Sequence, residues 1–560
     1  MGQIAVMRES VSMALAGSGG AGVMTAGNML LEAAAAAGYY GLMTRTSGPQ
    51  IRGGEAAAML RVAAYPTDAQ EDRFHVLAAI DWQNVGRFAA EIPLGPDSIL
   101  VGDPAHGEPP EVFLKTGARY LPVPFKQIVG KIEGAWPNMV ALGVLARLMG
   151  LPVEALEAAA RKSMKKGLEP GLAALRAGCA VPLPEDFFLA KSKSNGGRWL
   201  ISGNEAAGLG ALRGGVRFVA AYPITPATEL LEWLAPALTR VGGALVQAED
   251  ELASINMALG ASFGGVPALT ATSGPGLSLM IESLGLGVAA EVPVVVVDVM
   301  RTGPSTGIAT KTEQGDLNLA LYGMHGDAPH VVIAPNSVAD CIAATQWAVG
   351  LAESLQAPAI VLSDQYFGQA RAIVDEPAVP EMNFSREKTE RNGTPYKRYA
   401  LTPSGISPMA IPGTAGCTYT ADGLEHNERG TPSSQAGDHL AQMDKRARKL
   451  SQLDPGDAWA SIEGEGETAV VTFGSCTGAV REAIEGLPIR LISIRLLSPT
   501  QPARLEKALE GVKRVIVVEQ NHSGQFLRYL RSEYELPGEV KSLRRPGPLP
   551  FRPQEIRGAL

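Results

Sequence analysis

The chain has 560 residues, 46% of them hydrophobic and 19% charged, which is enough for three or four folded domains. Its net charge of −8 excludes a broadly basic surface, so we expect no nucleic-acid partner. The sequence has no signal-peptide core and no apolar run of transmembrane length, so we expect a cytoplasmic protein without a membrane anchor. Its four cysteines lie far apart without a CxxC pair, and we therefore expect no metal site in this chain.

Residues 1–190 begin with a strand, a glycine-rich loop and a helix, in the stretch SVSMALAGSGGAGVMTAG. The loop GSGGAG matches the dinucleotide-binding pattern GxGxxG. That pattern also requires an acidic residue at the end of the next strand, where this sequence has Arg45 and no acid. We therefore expect Gly19 and Gly20 to bind another anion or to form a subunit contact. Arg52 and Gly53 form either part of such a site or a structural turn.

Residues 191–375 begin with the linker-like stretch KSKSNGGRW and read as a second α/β domain. Continuous runs such as VPVVVVDVM, separated by helical segments, predict a parallel sheet with helices on both faces. After the run VRFVA comes YPITP, in which Pro223 and Pro226 fix the backbone. This pattern predicts a helix that begins at Pro226, with Thr225 as its cap at the carboxyl end of a strand.

Three further segments of this domain carry polar groups where a strand gives way to a turn. Glu249 and Glu251 stand at the start of a predicted helix. Acidic side chains are common there because the positive end of the helix dipole stabilises them. Ser273 and Gly274 open a second turn, and Arg301 begins the loop RTGPSTGIATK that ends in Lys311. Because parallel strands present their carboxyl ends at one edge, we predict an anion-binding pocket there.

Residues 376–455 are rich in Pro, Gly and charge and predict an extended connecting arm that ends in a basic helix. The arm contains Glu425, His426 and Glu428, which lack the spacing of a complete zinc site, so a loop held by local polar contacts is favoured. Residues 456–560 predict a last α/β domain. His522 stands at a strand end there, and a packing or interface role and a catalytic role both remain open.

The motifs YPITP, EDE, TATSGPGLSLM, DVMRTGPSTGIATKTEQGDL and GLEHNERG together resemble the α chain of 2-oxoacid:ferredoxin oxidoreductases of the 2-oxoglutarate type. The first 190 residues resemble the γ domain of that family, here fused upstream. One departure is Ala21, which stands in the glycine-rich loop where the family usually has Gln. The resemblance implies a multi-domain α/β fold with a γ domain, a thiamine-diphosphate pyrimidine-binding domain and a transketolase C-terminal-like domain.

The resemblance also implies thiamine diphosphate as cofactor and coenzyme A as substrate. The implied reaction converts 2-oxoglutarate, CoA and oxidised ferredoxin to succinyl-CoA, CO2 and reduced ferredoxin, or runs in reverse as carbon fixation in a reductive TCA cycle. Glu251 would face N1′ of the pyrimidine, and Thr225 would donate to the 1-carboxylate of the substrate. Arg301 and Lys311 are the candidates for the distal carboxylate. The remaining implied contacts are Pro223, Ile224, Ser273 and Gly274 to the cofactor, Ser305 and Thr306 to the substrate, and the glycine-rich and RGG segments to CoA or an interface.

The chain lacks the Gly-Asp-Gly motif and the cysteine set that the family uses for the diphosphate metal and the cluster. The resemblance therefore places Mg²⁺ and the [4Fe-4S] cluster in a separate β subunit and predicts an (αβ)2 heterotetramer that reduces ferredoxin. Two alternatives remain. The first is the same chemistry on pyruvate or a branched-chain or aryl 2-oxoacid, and the second is a non-catalytic electron-transfer adaptor.

Overall fold

A computed structural model describes residues 7–48, 54–183, 188–192, 197–377, 384–389 and 396–560. The chain forms two compact units. The first comprises Met1–Ser202, Gln369–Ala378 and Arg552–Gly558, and the second comprises Gly203–Gly368, Val379–Phe551 and Ala559–Leu560. None of the described helices is both long enough and apolar enough to span a bilayer.

Up to residue 202, strands and helices alternate only in part along the chain. The strands are β1 (Ser10–Gly17), β2 (Tyr40–Ser47), β3 (Ala56–Ala63), β4 (Val76–Ala79), β5 (Ile99–Gly102), β6 (Arg119–Pro122) and β7 (Arg198–Ser202). The helices are α1 (Val23–Ala36), α2 (Glu111–Leu114), α3 (Phe125–Val129), α4 (Pro137–Met149), α5 (Val153–Ser163) and α6 (Leu168–Cys179).

The next stretch alternates strand and helix regularly. Its strands are β8 (Phe218–Ala221), β9 (Ala244–Gln247), β10 (Ala268–Thr272), β11 (Val294–Met300), β12 (Val331–Ile333), β13 (Pro358–Asp364) and β14 (Arg371–Asp375). Its helices are α7 (Gly203–Arg213), α8 (Thr228–Arg240), α9 (Glu251–Phe263), α10 (Gly274–Ala289), α11 (Leu317–Tyr322), α12 (Asp340–Leu355) and α13 (Gln365–Gln369).

The last part begins with the predicted basic helix, α14 (Ala436–Ser451). The strands that follow are β15 (Ala460–Glu463), β16 (Thr468–Thr472), β17 (Ile489–Ile494), β18 (Leu496–Ser498), β19 (Arg514–Glu519) and β20 (Glu539–Arg544). The helices are α15 (Cys476–Ala483), α16 (Pro502–Ala508), α17 (Gln525–Glu533) and α18 (Pro553–Arg557).

The described strands of the first unit form one eight-stranded sheet in the order β6-β5-β4-β1-β3-β2-β14-β7. Strands β6, β5, β4 and β1 run parallel, whereas β3, β2, β14 and β7 pair antiparallel with their neighbours. The sequence predicts β7 and β14 in the second domain, but the structure has both in this sheet. Their side chains explain the difference, because Ile373 and Leu200 pack into the apolar core of the first unit.

The described strands of the second unit form two sheets. The larger has the order β18-β12-β13-β11-β10-β8-β9, and every pair in it except β12–β18 is parallel. All seven residues of β11 and of β13 are buried, as expected for Val-rich central strands covered on both faces. The smaller sheet has the order β15-β17-β16-β19-β20. The multi-domain α/β class predicted from the sequence is therefore confirmed.

Candidate active site

A cavity of about 620 Å³ opens in the second unit, beside the carboxyl ends of β10 and β11. Its walls are the start of α10, the loop after β11, the turn before α11, the loop after β19 and the turn at Pro546 and Gly547. A cleft at the carboxyl edge of a parallel sheet is where α/β proteins commonly bind ligands. A cavity is therefore present at the edge where the sequence predicts an anion-binding pocket, and its anion binding stays a prediction.

Glu251 is the first residue of α9, whereas Glu249 lies outside the helix and is exposed. Asp250 caps α9, because its Oδ1 atom accepts from the Ala253 backbone N–H at 2.7 Å. Glu251 is only 7% exposed, and its carboxyl group lies against the first turn of α10. A Cβ atom at Gly276 would come within 2.8 Å of Glu251 Oε1, so only glycine leaves room for this approach.

Ser273 and Gly274 form the junction between β10 and α10. Ser273 is completely buried, and its hydroxyl oxygen has no hydrogen-bond partner among the described residues. Gly274 begins α10 and lines the cavity. The first backbone N–H groups of a helix have no partner within the helix. Pro275 has no N–H, and the Gly276 N–H donates to the Ser273 carbonyl oxygen at 2.8 Å. The junction therefore offers the buried Ser273 hydroxyl and the Gly274 backbone N–H to a ligand.

Thr225 and Arg301 are brought together, although 75 residues separate them in the sequence. The Arg301 Nη1 atom donates to the Thr225 carbonyl oxygen at 2.7 Å. Arg301 is 7% exposed, and its buried Nε–H has no partner in the described part of the chain. Burial lowers the pKa of Arg301, and the charge of Asp316 opposes that shift. A buried guanidinium with an unused donor is typical of an anion site.

The predicted helix cap at Thr225 is wrong. Helix α8 begins at Thr228, with Ala227 as the residue before it, and residues 225–227 form a turn. The Asn204 side-chain amide donates to the Pro226 carbonyl oxygen at 2.9 Å. In a helix that began at Pro226, this carbonyl oxygen would instead accept from a backbone N–H of the next turn. Thr225 is therefore exposed in a turn next to Arg301, and Pro223 and Ile224 before it are half-buried.

The loop after β11 closes on itself. The Thr302 backbone N–H donates to the Lys311 carbonyl oxygen at 2.9 Å, which joins the two ends of the loop. Ser305 lines the cavity, whereas Thr306 is exposed and does not belong to the lining. Lys311 is half-buried, and its side chain is not part of the cavity wall. Of the two cations predicted for the pocket, the structure puts Arg301 in the wall and Lys311 beside it.

The cavity wall also contains Glu313 and Asp316, to which the sequence interpretation gave no role, and His522, for which it left packing and catalysis open. Burial raises the pKa of Glu313, against the opposing effects of the Gly547 backbone N–H and His522. Burial and the charge of Glu313 raise the pKa of Asp316 to about 7, against the opposing charge of Arg301. In the sequence, Asp316 appears only within the family motif that ends in TEQGDL, and no local pattern indicates its burial.

The glycine-rich loop belongs to the first unit and is described by itself. The Ser18 backbone N–H and hydroxyl donate to Asp81 Oδ2 at 2.9 and 2.7 Å, which fixes the start of the loop. Gly20 has a φ of 88°, and a Cβ atom there would meet open space. Arg52 and Gly53 lie outside the described residues. The predicted anion or interface role of this loop stays a prediction.

The GLEHNERG segment of the arm is held by local polar contacts, as favoured from the sequence. Glu425 accepts from His439 at 2.6 Å and from Arg446 at 2.7 Å. Burial lowers the pKa of His426. The centroid of its ring lies 3.7 Å from the centroid of the Tyr399 ring. Within the residues that the structure describes, no three His, Cys, Asp or Glu side chains are grouped so as to hold a metal ion.

Comparison with known proteins gives consistent matches over the whole chain. The family model of the thiamine-diphosphate-binding domain of pyruvate flavodoxin/ferredoxin oxidoreductases matches residues 209–445, and that of pyruvate ferredoxin/flavodoxin oxidoreductase matches residues 12–181. The α subunit of a 2-oxoacid:ferredoxin oxidoreductase from a Sulfolobus species is 31% identical, covering 92% of this chain and 91% of its own. The 2-oxoglutarate synthase subunit KorA of Archaeoglobus fulgidus is 37% identical, over 59% of this chain and 89% of its own.

A solved structure matches along nearly the full length. The 2-oxoglutarate:ferredoxin oxidoreductase from Magnetococcus marinus, with 2-oxoglutarate, coenzyme A and succinyl-CoA bound, is 36% identical, has a TM-score of 0.90 and aligns over 99% of both chains. The chain therefore belongs to the 2-oxoacid:ferredoxin oxidoreductase family, as an α subunit. The family resemblance predicted from the sequence is confirmed, and the activity class is that of an oxidoreductase acting on 2-oxoacids.

Proposed function

We propose that this chain is the α subunit, with a fused γ domain, of a CoA-dependent 2-oxoglutarate:ferredoxin oxidoreductase of the cytoplasm. The reaction would yield succinyl-CoA, CO2 and reduced ferredoxin, and its reversal would fix CO2. The observation that carries the choice of substrate is the full-length similarity to the Magnetococcus marinus enzyme, whose structure contains 2-oxoglutarate. Pyruvate or a branched-chain or aryl 2-oxoacid remains the competing substrate.

The residues around Glu251 fit the pyrimidine half of thiamine diphosphate. Glu251 is only 7% exposed, and its side chain lies against Gly276, which suits a group that acts on a ring nitrogen. Thiamine diphosphate, when bound, supplies a nucleophilic thiazolium carbon and an electron sink. Glu251 would hold a proton at N1′, and Pro223 and Ile224 would pack against the ring. The Ser273 hydroxyl and the Gly274 backbone would donate to the cofactor.

Thr225 and Arg301 would bind the carboxylate that all 2-oxoacids share. The 2.7 Å hydrogen bond from Arg301 to the Thr225 backbone carbonyl oxygen supports a joint role, because it holds the guanidinium beside residue 225, and neighbouring donors suit one end of a ligand better than two separate ends. Preorganised donors also orient the keto carbon without further loss of entropy. Lys311 would then bind the distal carboxylate of 2-oxoglutarate. Its position beside Thr302, which lines the cavity, supports this assignment, and Ser305 and Thr306 would lie along the bound acid.

A β subunit would complete the site with Mg²⁺ and a [4Fe-4S] cluster, giving an (αβ)2 heterotetramer that reduces ferredoxin. Support for a protein partner comes from α9 and α10, the two helices that begin beside the site. They expose Leu252, Met257 and Leu279, each between 44% and 50% accessible. Large exposed apolar side chains on two helices that contact each other are consistent with an interaction surface. The glycine-rich loop of the first unit would hold CoA or form a subunit contact.

The experiment is co-expression with a β chain that carries a Gly-Asp-Gly motif and cluster cysteines, followed by an assay of CoA-dependent viologen reduction. We expect kcat/KM to be highest with 2-oxoglutarate and to depend on CoA. Pyruvate, 2-oxobutyrate and an aryl 2-oxoacid serve as the matched competing substrates. A preference for any of these three would overturn the choice of substrate. Absence of all oxidation by a correctly assembled complex would favour the electron-transfer adaptor.

A further inference from the structure

Two buried aspartates accompany Arg301, and neither has a role in the reaction proposed above. Asp298 lies on β11, is completely buried, and has no hydrogen-bond partner for either carboxyl oxygen in the described residues. Asp316 lines the same cavity as Arg301, and within the described chain its buried Oδ2 atom also has no partner. Buried carboxylates are normally hydrogen-bonded, because an unpaired buried charge is costly. These two groups therefore call for a proton or a ligand nearby.

The backbone at the start of α10 fixes the position of Asp316. A Cβ atom at Gly274 would lie 2.5 Å from Oδ1 and 2.6 Å from Oδ2 of Asp316, so the carboxyl group packs directly on this backbone. Gly274 and Arg301 both line the cavity. Asp316 therefore packs against the start of α10 and lines the same cavity as the Arg301 guanidinium.

Burial and neighbouring negative charge raise the pKa of both carboxyl groups. Burial and the charge of Asp316 raise the pKa of Asp298 well above its ordinary value. Burial and Glu313 raise the pKa of Asp316 to about 7, against Arg301, so this group titrates near neutrality. The remaining titratable group facing the cavity is His522, whose charge lowers the pKa of Glu313.

We propose that Asp316, backed by Asp298, is a positioning residue that takes up a proton when Arg301 binds a substrate carboxylate. The inference rests on the proposed function, in which Arg301 receives the shared carboxylate of a 2-oxoacid. In its ionised form, Asp316 offsets the charge of Arg301 and repels the incoming anion. A proton from solvent converts this carboxylate to a carboxylic acid and leaves the guanidinium charge to the ligand. No electrons move in this step.

Proton uptake by Asp316 and anion binding at Arg301 are linked with a defined sign. An anion bound at Arg301 stabilises the protonated form of Asp316 and raises its pKa, so binding consumes protons and affinity falls as pH rises. If the shift is about one pH unit, binding at pH 7 takes up ~0.4 proton, and the Kd increases roughly tenfold in total between pH 6 and 9. The ligand must carry the carboxylate but must not react, and 2-hydroxyglutarate meets both conditions.

The test is calorimetric titration of the assembled α–β complex with 2-hydroxyglutarate, in buffers of different ionisation enthalpy at several pH values. The dependence of the heat on the buffer gives the number of protons taken up. We expect uptake in the wild type and in Asp457→Asn, which removes an exposed carboxylate outside the cavity. We expect no uptake, and a Kd independent of pH, in Asp316→Asn.

A second variant covers the case in which Asp316→Asn does not fold. Glu313→Gln removes a charge that raises the pKa of Asp316, so the midpoint of proton uptake should move to lower pH. Binding without buffer-dependent heat in the wild type would overturn the inference, as would uptake that survives in Asp316→Asn and disappears in His522→Gln. Failure of the complex to bind 2-hydroxyglutarate and to oxidise 2-oxoglutarate would instead contradict the proposed function.

Discussion

Replacing Arg301 by methionine should lower kcat/KM by a similar factor for every 2-oxoacid, because this residue is assigned to the carboxylate that they share. Arg301 is 7% exposed and already donates to Thr225, so its loss leaves both a carbonyl group and a substrate charge without a donor. Truncating one partner of a buried charge pair costs about 2–5 kcal/mol. At 1.36 kcal/mol per tenfold, kcat/KM should fall by roughly 30- to 5,000-fold.

Lys311→Met should instead impair 2-oxoglutarate selectively, because Lys311 is assigned to the distal carboxylate that only this substrate carries. Its side chain is half-buried, and solvent screens its charge, so the expected cost is about 1–2 kcal/mol. This corresponds to a loss of roughly 5- to 30-fold for 2-oxoglutarate and little change for 2-oxobutyrate.

The assay is kcat/KM for 2-oxoglutarate, 2-oxobutyrate and pyruvate, measured in the reconstituted complex for each variant. Arg240→Met, at an exposed position at the end of α8, is the matched control and should leave all three values unchanged. Arg301→Lys should recover only part of the loss, since an ammonium lacks the planar pair of donors. If Arg301→Met impaired 2-oxoglutarate alone, Arg301 would be the distal contact and the paired role with Thr225 would be refuted.

Three further predictions follow from the site and its support. Glu251→Gln should lower kcat by several orders of magnitude while the complex still assembles, since an amide cannot exchange a proton at N1′; near-normal turnover would leave Glu251 as a helix-start charge only. Glu291→Gln should lower the apparent Tm by roughly 5–15 °C in a thermal shift assay, because it leaves Lys445 and Lys449 buried without their counter-ion. The purified chain alone should contain no stoichiometric iron by elemental analysis and should oxidise no 2-oxoacid. Stoichiometric iron, or oxidation of a 2-oxoacid without a partner, would contradict the placement of the cluster in a β subunit.

The Glu291 prediction has a pH dependence of known sign. Burial alone would raise the pKa of Glu291, but the charges of Lys449, Lys445 and Arg398 outweigh burial and lower it to about 2. The stabilisation is therefore present above the ordinary glutamate range and is lost as pH falls toward 2. Lys445 and Lys449 belong to α14, so this cluster attaches the last helix of the arm to the end of α10.

Much of the site follows from local sequence, because its parts lie where strands end. Glu251 at a helix start, the Ser273–Gly274 turn and Arg301 after a Val-rich strand each have a short-range signal. What the sequence cannot supply is the partner of each group. The contact between Arg301 and the Thr225 carbonyl oxygen depends on the pairing of β10 with β8 and β11, and Asp298 has the same local pattern as any polar residue in a strand.

The fold was predicted at the level of class but not of strand membership. Strands β7 and β14 each carry three consecutive apolar residues between polar ones, and nothing local indicates which sheet they join. The start of α8 was misplaced for a similar reason. The Asn204 side chain that occupies the Pro226 carbonyl oxygen comes from a helix 22 residues earlier. Propensity locates elements, whereas long-range hydrogen bonds decide where they begin and which neighbours they take.

The membership of β7 and β14 in the first sheet has a consequence for dividing the protein. A fragment that stops at residue 190 would keep β1–β6 but lose both strands, which would leave β2 as an unpaired edge with the buried residues Leu42 and Met43. Exposed edges of this kind promote strand addition between molecules and aggregation. Fission of the gene at that point would therefore require that the edge of β2 be covered, either by β14 of the remaining chain on association or by a substitute strand.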